Sequence, residues 1–346
     1  MSDLSDEINL ARENAELRAA NLRLQRSNAR LKAKEADLVE AVYQAARDAA
    51  VTVGKASPVP RPTRDRRKSP EVALLHMTDW QMGKSTYSYS TEVCQQRVRT
   101  AVAKTVRLAE IQRADHPVRE CHLMLGGDLV EGVSIFPGQP FEVDSTAFAQ
   151  VFAATALVES VVLSLLEAFE SVTVIDVAGN HGRIGRKGDM PRGDNLDRIV
   201  CRIARERLLG LDIGPRGQVQ ARLTWEPNDK WYAITEIGAY RALLVHGDQI
   251  KSFGGNVPAY GIMRKANAWA TGVTEPFTDM YLGHMHQEMT LTMANGGRVY
   301  MTPSTESGSE YAREFMGAHG RPGQRLHFID PSAGRVTAVY MLHLDD

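Results

Sequence analysis

Five short apolar runs stop one after another at polar residues able to hold a cation, and this repetition constrains the fold more than any other feature. Val72–Thr78 runs into Asp79-Trp80-Gln81, Leu123–Leu125 into Gly126-Gly127-Asp128, and Val172–Ala178 into Gly179-Asn180-His181. Ala242–Val245 then runs into His246-Gly247-Asp248, and Met280–Leu282 into Gly283-His284-Met285-His286. Runs of this length bounded by glycine and polar turn residues read as buried strands. A single Gly-Gly-Asp most often caps a turn. Five such endings in order, each after an apolar run, are not explained as caps.

The 346 residues, 43% of them hydrophobic, suffice for one large domain plus an appendage. A formal net charge of -1 supplies no global field toward nucleic acid or membrane, so any such binding must be local. Cys94, Cys121 and Cys201 are scattered without a CxxC pair, which argues against a disulfide framework and a thiolate zinc site. They are expected as buried, reduced thiols. The N-terminal residues are charged, and nowhere do about 18 apolar residues run together. The expectation is a soluble, cytoplasmic protein.

Leu10, Leu17, Leu24, Leu31 and Leu38 recur every seventh residue in a segment rich in Ala, Arg, Glu and Leu. This ladder predicts a coiled-coil helix over residues 1–50. Asn14, Asn21 and Asn28 fall at the facing core positions, where asparagine costs stability but favours a two-stranded parallel pairing, so a homodimer is expected. The alternative is a single amphipathic helix folded back on the domain, or one that associates only weakly because its facing core positions are so polar. Residues 51–70 follow as a basic, proline-rich linker, and 71–346 as the main domain.

The ordered series D-x-Q, GD, GNH, HGD and GHMH resembles the calcineurin-like metallophosphoesterase superfamily, over about residues 70 to 345. The resemblance implies an α/β fold, a four-layer αββα sandwich. It also implies a phosphoesterase, a hydrolase acting on phosphate ester bonds, in which a hydroxide bridging two divalent cations attacks phosphorus in line. By the same resemblance the first metal takes Asp79, Gln81, Asp128 and His286, and the second takes Asp128, Asn180, His246 and His284. Asp128 bridges both. His181 sits beside the scissile phosphate, stabilising the transition state or protonating the leaving oxygen. The chain departs from the family at Gln81, where a histidine is usual, and at Gly182, where an acidic residue often orients the preceding histidine. Oxygen and nitrogen ligands without thiolates favour Mn²⁺, with Fe or Zn as alternatives.

A coiled coil, a basic tether and a basic, glycine-rich loop after His181 suit a long charged substrate. Arg183, Arg186 and Lys187 of that loop are candidate contacts for further phosphates, the alternative being a solvated loop. The chain looks most like the nuclease branch, similar to the nuclease subunit of double-strand-break repair complexes and to phage-encoded metallophosphoesterases. A phosphodiesterase or nuclease acting on DNA is the leading expectation. The alternatives are a phosphoprotein or small-molecule phosphatase, and a non-catalytic coiled-coil assembly protein whose site has decayed at Gln81 and Gly182.

Several finer expectations complete the reading. Glu131 is a candidate for orienting a histidine. Lys84 reads more readily as a solvated surface lysine than as a phosphate contact, and Trp80 and Met82 as core. The segment Val143–Phe169 is expected to be helical with its phenylalanines buried. The runs within Val219–Val245, and those at 298–302, 325–329 and 335–342, are assigned to the second sheet. His319, His327 and His343 are expected to be structural.

Overall fold

The computed structural model describes residues 22, 23, 25, 69–185, 187–210, 219–251, 258–307 and 320–345. The chain divides into two units, Met1–Val53 and Gly54–Asp346, and the elements that follow belong to the second. Of the heptad segment only residues 22, 23 and 25 are described, and they are helical. The rest of that segment, the linker as far as residue 68, Arg186 and His319 lie outside the described residues.

The strand β1 (Glu71–Met77) is buried at every position because both of its faces are covered, which is why it reads as a continuous apolar run. Ala73, Leu75 and Met77 point to a helix-side core, while Val72 and Leu74 point to a core between two sheets. Helix α1 (Thr91–Gln112) starts at Ser90, whose hydroxyl accepts from Val93 N, and leads into β2 (Val118–Leu125). Helix α2 (Ala147–Ala168) starts at Thr146, whose hydroxyl accepts from Ala149 N, and leads into β3 (Ser171–Asp176). Helix α3 (Leu196–Gly210) is followed by β4 (Leu223–Trp225). From β1 to β4 neighbouring strands run parallel, so β1, β2 and β3 end on the same edge.

The second sheet holds β5 (Tyr232–Ile237), β6 (Tyr240–Val245), β7 (Asp279–Leu282), β8 (Met289–Thr292) and β9 (Arg298–Met301), in the order β5-β6-β7-β9-β8. Helix α4 (Ala259–Ala268) covers its outer face through Ile262 and Ala266, packed with Leu243, Val245, Met280 and Leu282. The strands β10 (Gly323–Asp330) and β11 (Arg335–His343) return to the first sheet, whose order is β11-β10-β1-β2-β3-β4. Val72, Leu74, Met124 and Ile329 of the first sheet meet Tyr240, Leu244, Tyr281 and Tyr300 of the second. The layers are therefore helix, sheet, sheet, helix, the α/β sandwich expected.

Two expectations are corrected. The strands β4, β10 and β11 join the first sheet, not the second. Trp225 of β4 packs in the helix-side core and its indole donates to Asp176 of β3 at 2.8 Å, while Leu326, Phe328 and Leu342 fill the same core. Phe148 is exposed and Phe152 half-buried, because the buried stripe of α2 runs through Val151, Ala154, Val158, Val162 and Leu165 instead. Finally, α2 is long and apolar enough to match a membrane span by composition, but it packs between α1 and α3 over the first sheet.

Candidate metal centre

The parallel ends of β1, β2 and β3 and those of β6 and β7 bring Asp79, Gln81, Asp128, Asn180, His181, His246, His284 and His286 to one place. Asp79, Gln81, Asp128, His284 and His286 all have positive φ, between 45° and 66°, and they are the only non-glycine residues among those described that do. Each such residue costs of order 1–3 kcal/mol, and this cost concentrates where side chains must be aimed at a site. After β1 and β2 the two segments stay bonded through the turn, with Asp79 N donating to Gly127 O at 2.9 Å and Gln81 N to Asp128 O at 2.8 Å.

Asp128, His246 and His284 form a cluster whose ligand atoms all lie within 4.8 Å of one another. His246 Nδ1 is 2.8 Å from Gly126 O and donates there, so in the neutral ring Nε2 carries a lone pair. That bare nitrogen lies 3.1 Å from Asp128 Oδ2 and 3.1 Å from Asn180 Oδ1. Asp128 Oδ2 is buried and no hydrogen bond satisfies it. Acceptors turned toward one another in a buried site demand a positive charge between them, either a proton or a metal ion. Burial alone would make His246 less basic, but Asp128 beside it raises it to about 10. His284 is pushed down to about 4 by burial and by His246, so it offers a neutral ring.

A second group is built in the same way. His286 Nδ1 faces Glu306 Oε2 at 3.1 Å, which turns Nε2 toward Asp79 Oδ1 at 3.3 Å, another buried oxygen without a hydrogen bond. The other oxygen of Asp79 accepts from Thr78 Oγ1 at 2.6 Å and from His284 N at 2.9 Å, which fixes the carboxylate. Despite burial, Asp79 and Glu306 raise His286 to about 10. Gln81 lies between the two histidines, its Nε2 3.2 Å from His286 Nε2 and 3.4 Å from His181 Nε2.

His181 is held by its backbone N, which donates to Asp128 Oδ1 at 2.7 Å, and by Nδ1, 3.1 Å from both Glu131 O and Glu131 Oε2. Glu131 O accepts from Nδ1, and the Glu131 carboxylate lies beside the ring where Gly182 offers no acid. A side chain at residue 182 would strike Asn195 Oδ1 and crowd Asp197, so that position has no room for an acid. Burial opposes protonation of His181, but Asp128 and Glu131 raise its pKa overall.

Lys84 is not the solvated lysine expected. Its side chain is 12% exposed, and its Nζ lies 3.1 Å from Glu306 Oε1 and 3.3 Å from Gln81 Oε1. Burial lowers its pKa, but Glu306 and Glu131 raise it above the ordinary value, so it stays charged. Two residues that sequence reasoning passed over hold the centre together. Glu306 links Lys84 to His286, and Asp197 accepts from Asp128 N, Leu129 N, Val130 N and Gly179 N at 2.8, 3.0, 3.3 and 2.8 Å, tying the β2 and β3 turns together. The acidic residue in the first turn of α3 was the one available signal for Asp197. Glu306 follows β9 in a stretch without any motif. Arg183 is half-buried and Lys187 exposed on the loop after His181. That loop is joined to the segment after Gly132 by Gly185 N donating to Ser134 Oγ at 3.2 Å.

Comparison of the sequence with protein-family models and with curated proteins finds no match. Among solved structures, Vps29 from Entamoeba histolytica complexed with Zn²⁺ is 13% identical, covering 79% of this chain and 99% of its own, with a TM-score of 0.33. A conserved uncharacterized protein from Streptococcus pneumoniae, described as a predicted phosphoesterase, is 11% identical over 80% of this chain and 99% of its own, with a TM-score of 0.34. A hypothetical protein from Pyrococcus horikoshii is 12% identical over 80% of this chain and 89% of its own, at 0.36. Likeness at this level carries no functional weight, and the chemistry of the site rests on its own geometry.

Proposed function

We propose that this chain is a metal-dependent phosphoesterase of the calcineurin-like kind, most plainly a phosphodiesterase acting on DNA. The observation that carries the reading is the convergence of buried carboxylate oxygens and bare imidazole nitrogens at the strand ends. Asp128 Oδ2 and Asp79 Oδ1 each face a histidine nitrogen that has no proton to give when the ring is neutral. Asp128, Asn180, His246 and His284 would hold one cation, and Asp79, Asp128 and His286 the other. When bound, such cations supply Lewis acidity toward a phosphoryl oxygen and lower the pKa of a water. The donor set of carboxylate, amide and imidazole, without thiolate, fits Mn²⁺, Fe or Zn.

The protein's own groups do the rest. Asp128 would serve both ligand groups, its backbone N held by Asp197. His181 keeps Nδ1 on Glu131 and turns Nε2 inward, where it moves a proton to the leaving oxygen. Arg183 and Lys187, with Arg186 of the same loop, supply cationic contacts along a polymeric phosphate backbone. Residues 1–50 are read as a self-associating helix, which makes the working form a homodimer.

Cleavage of single-stranded DNA, duplex DNA, RNA and a phosphomonoester, measured side by side with Mn²⁺, tests the proposal. The expected result is DNA cleavage that is abolished by chelation. Monoester hydrolysis much faster than DNA cleavage would select a phosphatase, and no hydrolysis of any substrate would refute the assignment.

A further inference from the structure

We infer that Gln81 turns its amide N–H groups, not its oxygen, into the site as a donor to the bound phosphoryl group, and that Lys84 is the positioning residue that fixes this orientation. The inference rests on the metal-dependent phosphoesterase reading and assigns Gln81 a role other than metal ligand. Gln81 is fully buried, and its Oε1 accepts from Lys84 Nζ at 3.3 Å. An ammonium group has donors only, so the end of the amide that faces Lys84 must be the oxygen.

The opposite end of the amide gives the same answer. With Nδ1 of His286 on Glu306 and Nδ1 of His181 on Glu131, the neutral form of each ring has an acceptor Nε2 facing Gln81 Nε2, at 3.2 and 3.4 Å. The Lys84 contact fixes the oxygen end whatever the charge on the rings, and with neutral rings the two histidine acceptors agree with that placement. Neither partner is free to turn. Lys84 is ion-paired to Glu306 with its side chain 12% exposed, and the Gln81 backbone is bonded through its N to Asp128 O and through its O from Lys84 N.

A cation held by Asp79, Asp128 and His286 would occupy the Nε2 lone pair of His286, so the facing amide N–H would need another acceptor. That N–H lies beside His181, where the phosphate would sit, and a non-bridging phosphoryl oxygen is the acceptor of matching charge. A lysine three residues after the glutamine thus converts the usual ligand position into a phosphate-recognition position.

The test is calorimetric titration of the full chain and its variants, first with Mn²⁺ and then with inorganic phosphate in the Mn²⁺-loaded protein. Gln81→Met keeps the volume and removes both amide groups. It is expected to leave each Mn²⁺ dissociation constant within about twofold and to weaken phosphate binding by about tenfold or more, as loss of a hydrogen bond to a charged group does. Lys84→Met should weaken phosphate to a similar extent, the double variant should lose no more than either single one, and Lys84→Arg should recover most of the loss. Weakening of a Mn²⁺ step by tenfold or more in Gln81→Met would overturn the inference, since the amide would then be a ligand. Additive losses in the double variant would overturn the positioning role of Lys84. A wild-type chain that binds neither Mn²⁺ nor phosphate would refute the metal-dependent reading itself, an outcome distinct from both.

Discussion

Gly179→Ala separates two physical effects that oppose each other in sign. The residue lacks the positive φ that normally requires glycine, so by backbone entropy alone alanine should stabilise the protein by about 0.4–1 kcal/mol. The space is the obstacle. A Cβ at residue 179 would lie 2.6 Å from Asp128 Cγ and closer still to its Oδ1 and backbone N. Carbon atoms settle at about 3.5–4.0 Å, so the two turns must part by about 1 Å. They resist, because Asp197 bonds Asp128 N and Gly179 N at 2.8 Å each. Overpacking of this kind costs about 1–3 kcal/mol, and because the Asp128 backbone N is among the atoms struck the upper end applies. The net expectation is a loss of about 2 kcal/mol after the entropic gain. Urea unfolding of the metal-free protein measures it, and Mn²⁺ titration should show weaker binding because Asp128 is displaced. A variant as stable as wild type, with unchanged Mn²⁺ affinity, would refute the steric reasoning and with it the packing of Asp128 against the β3 turn.

Three further outcomes follow from the same geometry. Since Asp128 and Asp79 raise His246 and His286 to about 10 against the burial that lowers them, the metal-free protein holds both rings protonated at pH 7, and Mn²⁺ binding should release about two protons, read from calorimetry in buffers of different ionisation enthalpy. Burial raises Glu306, but His286 and Lys84 depress it to about 2 from an ordinary 4.5, so its stabilising contribution is present above about 4.5 and lost as pH falls through about 2. The stability gap between metal-free wild type and Glu306→Gln should close over that window. Deleting residues 1–50 should lower the oligomer mass in light scattering while hydrolysis of a small diester persists, because every ligand lies in the 71–346 segment; a full-length monomer at micromolar concentration would remove the homodimer.

The strand-end chemistry was legible because it is local. An apolar run followed by Gly-Gly-Asp or Gly-Asn-His states both a strand and the side chain delivered at its end, and the structure places all of those residues together. What the sequence hid is long-range. Nothing in Arg325–Ile329 or Arg335–Leu342 specifies which strand lies beside it, so β10 and β11 were assigned to the wrong sheet; pairing is settled by the antiparallel register of β10 on β1. Lys84 looked like a surface lysine because the residue that buries it, Glu306, follows more than two hundred positions later and carries no motif. Phe148 looked like core because it is apolar, although the register of α2 turns it outward. Glu131, by contrast, was readable three residues after Asp128 and does orient a histidine.

Metal content bears most directly on the proposed centre. Wild type and Asp128→Asn, loaded with Mn²⁺ and desalted, should be analysed for metal and assayed on a phosphodiester under the same conditions. If Asp128 serves both ligand groups, wild type retains about two Mn²⁺ per chain, the variant retains at most about one, and turnover falls by several orders of magnitude with the fold intact. A variant with full metal content and turnover near that of wild type, or a wild-type chain that retains no Mn²⁺, would contradict the assignment.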